Sequence, residues 1–238
     1  MLNSNIIETY SKVHTPQNYT NDDIPSFDGS QRQSEFFIAW NEISEFYKNS
    51  KAKKLTFLEV GAWKGLWGLA FSEFCKEKGI KGEYSTITMI NHDPNNQPLY
   101  ASINYINNQP NMKANLVDMN TFDERALEEV LKFGKKFNLV FIDAGHKYEE
   151  VSNDIAKFSD LASDMLLFHD IRPIIATSDC GVYQAIGDAG IKLDKYLPKA
   201  RYEFLGGTSG VQKWLDFYST FKFDIGLAPI LDTPFNLC

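Results

Sequence analysis

Between residues 55 and 168 the apolar positions follow two alternating rhythms. Short runs rich in β-branched and aromatic residues predict strands over 55–60, 83–91, 112–117, 137–142 and 165–168. Between them, apolar residues recur every three to four positions, which predicts helices over 66–77, 98–108, 121–134 and 147–161. The third of these carries a capping-box pattern, Thr121 with Glu124 three residues on, and stops at Gly134. Apart from Asn138, the run 137–142 is apolar on both faces, as a central parallel strand should be. Strict βαβ alternation predicts an α/β fold: a Rossmann-like, doubly wound, mostly parallel sheet with helices on both faces. A short helix near 180–189 and two late strands near 201–205 and 211–217 would bring the sheet to seven strands.

Upstream, Ser34 caps an amphipathic stretch with Phe37, Trp40, Ile43 and Phe46 or Tyr47 on one face. Four lysines between 48 and 54 read as the solvated end of that helix. Residues 1–33 are polar, carry Pro16, Pro25 and Gly29, and read as an irregular N-terminal arm. Tyr10, Tyr19, Ile24 and Phe27 give the arm something to bury, so it is a candidate lid over the remaining domain, 34–238.

Composition narrows the class. A net charge of −7 disfavours a nucleic-acid backbone as the main partner. No apolar run is long enough to span a bilayer, and the first residues lack the features of a secretory leader. Cys75, Cys180 and Cys238 are too widely spaced for a metal or redox pair, which fits reduced thiols in a cytoplasmic protein. A homo-oligomer stays open.

The chemistry begins at 55–65, where an apolar run ends in Glu59 and two glycines follow, Gly61 and Gly65. A strand, tight turn and helix in this order offer close backbone approach and free N–H groups to a nucleotide-like ligand. Glycines also serve packing alone, and that reading stands beside the first. Trp63 occupies the place where a dinucleotide G-x-G-x-x-G pattern needs glycine, and no phosphate loop is present. An acid just before the turn repels polyphosphate and suits a ligand with a cationic amine.

The other predicted strands also run into polar residues: Asn91-His92-Asp93, Asp118, Asp143-Ala144-Gly145-His146 and His169-Asp170. Ligands of open α/β sheets bind at the carboxyl ends of the strands. Acids gathered there repel one another unless hydroxyls, amines or a cation lie between them.

These stretches resemble the class I S-adenosylmethionine-dependent methyltransferases. The likeness is carried by Glu59 to Gly65, by Phe137 to Tyr148 (an I-D-x-x-H-x-Y pattern) and by Leu166 to Asp170 with its H-D ending. It covers roughly residues 34–218 and is weak after 170. The resemblance implies that Glu59 and the Gly61–Gly65 turn hold the methionine part of the cofactor, with Ala62 and Trp63 lining it. It implies an acid for the ribose hydroxyls, for which Asp93 is the candidate and Asn91 the substitute. Asp118 would lie near the adenine and Asp143 near the sulfonium. Related O-methyltransferases place a divalent cation between the acid after the fourth strand and a pair after the fifth. Asp143, His169 and Asp170 match those positions, for Mg²⁺ or another divalent cation, although His169 departs from an all-oxygen set.

The function expected is methylation of an oxygen on a small-molecule or sugar-like acceptor. Asp143, His169 and His146 are the candidate catalytic residues, activating the hydroxyl as bases or through a metal. His146 and Tyr148 could instead cap and pack the following helix. Two rivals remain: an NAD- or flavin-dependent oxidoreductase, against which the missing glycine at 63 counts, and a non-catalytic binding module on the same fold.

Overall fold

The computed structural model describes residues 2–13, 33–90, 97–169 and 181–191. Among these residues five strands form one sheet: β1 (Lys54–Val60), β2 (Lys81–Thr88), β3 (Met112–Asp118), β4 (Phe137–Ile142) and β5 (Ala162–Phe168). Every pairing is parallel and the order is β3-β2-β1-β4-β5. The chain winds outward from β1 to β3, then returns to lay β4 against the other side of β1. The strand order therefore reverses at the β1–β4 junction, and ligands of such sheets bind beside that point.

The intervening helices are α1 (Leu2–Val13), α2 (Gln33–Phe46), α3 (Leu66–Lys78), α4 (Gln97–Asn107), α5 (Ala126–Leu131), α6 (Tyr148–Phe158) and α7 (Val182–Asp188). They divide between the two faces because alternate strand residues point to opposite sides. Leu55, Phe57, Tyr84, Leu139, Phe141 and Leu167 pack with α1 to α4. Leu58, Val60, Ile87, Val140, Ile142 and Phe168 pack with α5 to α7. The first face is dominated by aromatic rings: Trp40 meets Phe57, Trp67 and Phe74, and Trp67 lies 4.2 Å from Phe141. On α2 it is Tyr47, just past the helix end, that is buried, while Phe46 stays exposed.

Three expectations change. Residues 2–13 of the arm are a helix, not irregular chain. Ile6, Tyr10 and Val13 recur on one side of it and pack on the first face, where Ile6 is fully buried, and the Thr9 hydroxyl donates to Glu73 Oε1 at 3.0 Å. The Tyr105 hydroxyl donates to the same oxygen at 3.2 Å, so one buried carboxylate joins α1, α3 and α4. Thr9→Val should therefore cost about 1–2 kcal/mol, read as a lower urea midpoint with unchanged slope. An unaltered midpoint would show that α1 rests on Glu73 without drawing stability from it.

Second, the helix expected from Thr121 begins only at Ala126. Asn120 Oδ1 accepts the Phe122 N–H and Asp123 Oδ1 accepts the Arg125 N–H, so successive side-chain turns hold 120–125 outside the helix. Third, α2 starts at Gln33, which puts Ser34 inside it rather than at its cap. The short helix near 180–189 is present as α7. The late strands, and with them the sixth and seventh members of the sheet, fall outside the described residues, as do the remainder of the arm, Asn91, His92, Asp93 and Asp170.

Candidate active site

At the reversal point the turn after β1 is clasped from both sides. The Gly61 N–H donates to the Ile87 carbonyl at 2.9 Å, and the Asp143 N–H donates to the Val60 carbonyl at 2.8 Å. Gly61 has φ +92°, and a Cβ there would lie 2.4 Å from Ala144 Cα and from the Asp143 carbonyl oxygen. Only glycine allows the β1 turn and the β4 end to meet so closely. Gly65, at φ +78°, sets the start of α3 against α4, where the Ser102 hydroxyl donates to the Lys64 carbonyl at 2.7 Å. The packing reading of both glycines is thus met in full, and the packing itself shapes the turn. Ala62 is buried beneath it, while Trp63 is 61% exposed at φ +44°, a conformation that bulky residues seldom adopt.

Glu59 lies on the aromatic face, only 2% exposed. Its Oε2 accepts the Tyr84 hydroxyl at 2.5 Å. Burial pushes the Glu59 carboxyl well above the usual carboxylate range, the Tyr84 hydroxyl opposes this, and the nearby Asp143 adds to it. Burial and the adjacent Glu59 raise the Tyr84 phenol in turn. Tyr84 was not foreseen from the sequence. It reaches Glu59 because Gly68 on α3 leaves room: a Cβ at Gly68 would lie 2.7 Å from the Tyr84 ring.

The end of β4 carries the second group. His169 Nδ1 lies 3.1 Å from Asp143 Oδ1, and His146 Nε2 lies 3.7 Å from the same oxygen. The three ligand-capable atoms all fall within 4.8 Å of one another. The His169 side chain is buried and its ring meets the Phe141 ring edge-on, at 6.4 Å between centroids. The His146 side chain is half exposed.

The backbone around His146 is tied down as a helix start. Glu150 Oε2 accepts the N–H groups of His146 and Lys147, at 3.2 and 3.1 Å, and the His146 carbonyl accepts the Gly181 N–H at 2.7 Å. Tyr148 reaches across to α7, its hydroxyl donating to Asp188 Oδ2 at 3.0 Å. The capping reading of the Tyr148 region therefore holds for backbone and phenol, while the His146 imidazole turns back to Asp143. Glu150 was also not foreseen, although an acid three residues into a helix is the capping signal.

Asp118, expected near the adenine, ends β3 and accepts the Ile90 N–H on Oδ1 at 2.9 Å, ordering the turn after β2. Glu59, Asp143, His146 and His169 thus gather at one rim, with Asp118 two strands away on the same edge of the sheet. Two acidic side chains at this rim, Glu59 and Asp143, suit a cationic amine, and the close Gly61–Ala144 contact fixes the turn beside them. Among the described residues no helix is long and apolar enough to cross a membrane.

Residues 58–171 match a family model described as "Methyltransferase domain". No curated protein sequence matches the chain at a significant level. Among solved structures, the SAH-bound Podospora anserina methyltransferase PaMTH1 is 15% identical with a TM-score of 0.44, the alignment covering 91% of this chain and 77% of that one. The plantazolicin methyltransferase BpumL, in complex with SAH, is 14% identical with a TM-score of 0.36, covering 96% of this chain and 83% of that one. Likenesses so distant add no weight. What stands is that residues 58–171, the strands and turns that build the rim, are similar to a methyltransferase domain.

Proposed function

We propose that the chain is a class I methyltransferase that transfers methyl from S-adenosylmethionine to a hydroxyl oxygen of a small-molecule or sugar-like compound. One observation carries this reading: the Asp143 carboxylate stands between two imidazoles, His169 Nδ1 at 3.1 Å and His146 Nε2 at 3.7 Å. An acceptor already ionised at neutral pH needs no such group, whereas an alcohol must lose its proton as it attacks.

S-adenosylmethionine, when bound, supplies an electrophilic methyl on a sulfonium sulfur. The Gly61–Gly65 turn and Glu59 receive its methionine end. Asp93 or Asn91 takes the ribose hydroxyls, and Asp118 stands by the adenine. Transfer of that methyl to the acceptor oxygen would leave the carbon–sulfur electron pair on sulfur and the hydroxyl proton to be taken up by the protein. The hydroxyl proton passes to the imidazole–carboxylate cluster, where the half-exposed His146 is the member an acceptor can reach. Asp143 then stabilises the imidazolium. Asp143, His169 and Asp170 are equally the set that would hold a divalent cation, whose chemistry there would be to acidify the hydroxyl as a Lewis acid.

Calorimetric titration separates this from the oxidoreductase reading. Heat of binding with S-adenosylhomocysteine and none with NAD is the expected result, followed by transfer of labelled methyl to members of a hydroxylated acceptor panel. Binding of NAD alone would overturn it. Cofactor binding without transfer to any acceptor would favour a binding module.

A further inference from the structure

We infer that Asp143, His146 and His169 form a site for a first-row transition-metal cation rather than for Mg²⁺. This deepens the proposed function, since it rests on the same rim and chooses between the two ways of activating the hydroxyl.

The donor set is the first argument. Two imidazole nitrogens and one carboxylate oxygen suit zinc, iron, cobalt or manganese, whereas Mg²⁺ takes oxygen ligands and keeps much of its water. Spacing is the second. Ligands bound at about 2.1 Å around one ion stand roughly 3.0–3.4 Å apart when adjacent. The Asp143–His169 separation of 3.1 Å lies in that range and the Asp143–His146 separation of 3.7 Å just beyond it, and since the three atoms spread over up to 4.8 Å, the exposed His146 side chain must turn inward to share one ion.

The third argument is that the three ligands stand on fixed backbone. Asp143 is anchored to β1 by its N–H to Val60, and the His169 N–H donates to the Ile142 carbonyl at 3.3 Å. His146 is fixed on both sides, by Glu150 at its N–H and by Gly181 at its carbonyl. Sites held in this way lose little order on taking up an ion. Burial is graded as a catalytic metal site requires. His169 closes the inner side with its side chain 8% exposed, and His146 leaves the outer side open at 50%. Three protein ligands leave further positions for an oxygen from outside the chain. His146 enters the set as a ligand, a role the I-D-x-x-H spacing alone does not specify.

Cobalt titration of the metal-stripped full chain tests this. Visible absorption bands should saturate at one ion per chain, fall on adding Zn²⁺, and persist in millimolar Mg²⁺. His146→Ala and His169→Asn should each weaken cobalt binding on the order of 100-fold. The exposed His146 can be replaced without disturbing the core, so that variant decides the matter if His169→Asn does not fold. Absence of bands, displacement by Mg²⁺ as readily as by Zn²⁺, or wild-type titration of His146→Ala would each overturn the inference. S-adenosylhomocysteine is titrated into the same wild-type sample. Cofactor heat without cobalt bands defeats the metal site and leaves methyl transfer standing, whereas cobalt bands without cofactor heat do the reverse.

Discussion

Gly61→Ala should lower the thermal midpoint by about 5–15 °C and remove cofactor binding from whatever still folds. Two costs combine in it. The φ of +92° places a Cβ in a conformation that costs about 1–2 kcal/mol for an L residue. That Cβ would also stand 2.4 Å from Ala144 Cα and from the Asp143 carbonyl oxygen, both backbone atoms that cannot swing aside. Prising β1 from the β4 end adds about 1–3 kcal/mol. Gly79→Ala is the matched control. It too has a positive φ, +65°, but nothing lies within 4 Å of the added Cβ. It should pay the backbone term alone and melt only a few degrees lower. The difference between the two variants isolates the steric cost of the junction. Midpoints within a degree of one another would show that the β1–β4 clasp is loose and that the glycine serves conformation only.

The same junction explains why the sequence alone places several candidate residues at one edge of the sheet. Strand ends announce themselves in a parallel α/β chain, because a run apolar on both faces such as 137–142, Asn138 apart, must be central and whatever follows it must lie at the ligand edge. Asp143, His146 and His169 were legible for that reason. The Glu59–Tyr84 bond was not, since its partners sit on neighbouring strands and depend on Gly68 for clearance, a relation carried by register and not by spacing.

Helix α1 has an apolar stripe, Ile6 with Tyr10 and Val13, but it is short and set among polar residues, and its polar anchor, Glu73, lies far along the chain. Helix α5 was drawn too long because Asn120, Thr121 and Asp123 are as good at turns as at caps, and the local sequence does not decide between them. The acceptor pocket was the least legible part. Nothing in a βαβ rhythm specifies what covers the rim.

Glu59→Gln should make the apoprotein more stable at pH 8 and weaken S-adenosylhomocysteine about 10–150-fold. The stability half follows from linkage. Burial and Asp143 raise the Glu59 carboxyl in the folded state, so the folded chain holds a proton that the unfolded chain releases near the ordinary carboxylate value. Stability contributed at this position is then present below the unfolded value and is lost as pH rises from there towards the folded one. Glutamine carries no ionisation to suppress, and its amide oxygen still accepts the Tyr84 hydroxyl. Urea melts of the apoprotein should therefore converge at low pH and separate above it, with the variant the more stable.

The affinity half has the opposite sign. Ionising an acid kept at 2% exposure beside Asp143 is costly in the empty protein, and a cationic amine is the ligand that relieves that cost. Glutamine cannot ionise, so the cost and the attraction disappear together. A variant less stable at both pH values, with cofactor affinity intact, would reduce Glu59 to a structural partner of Tyr84 and move the cofactor's amine elsewhere on the rim.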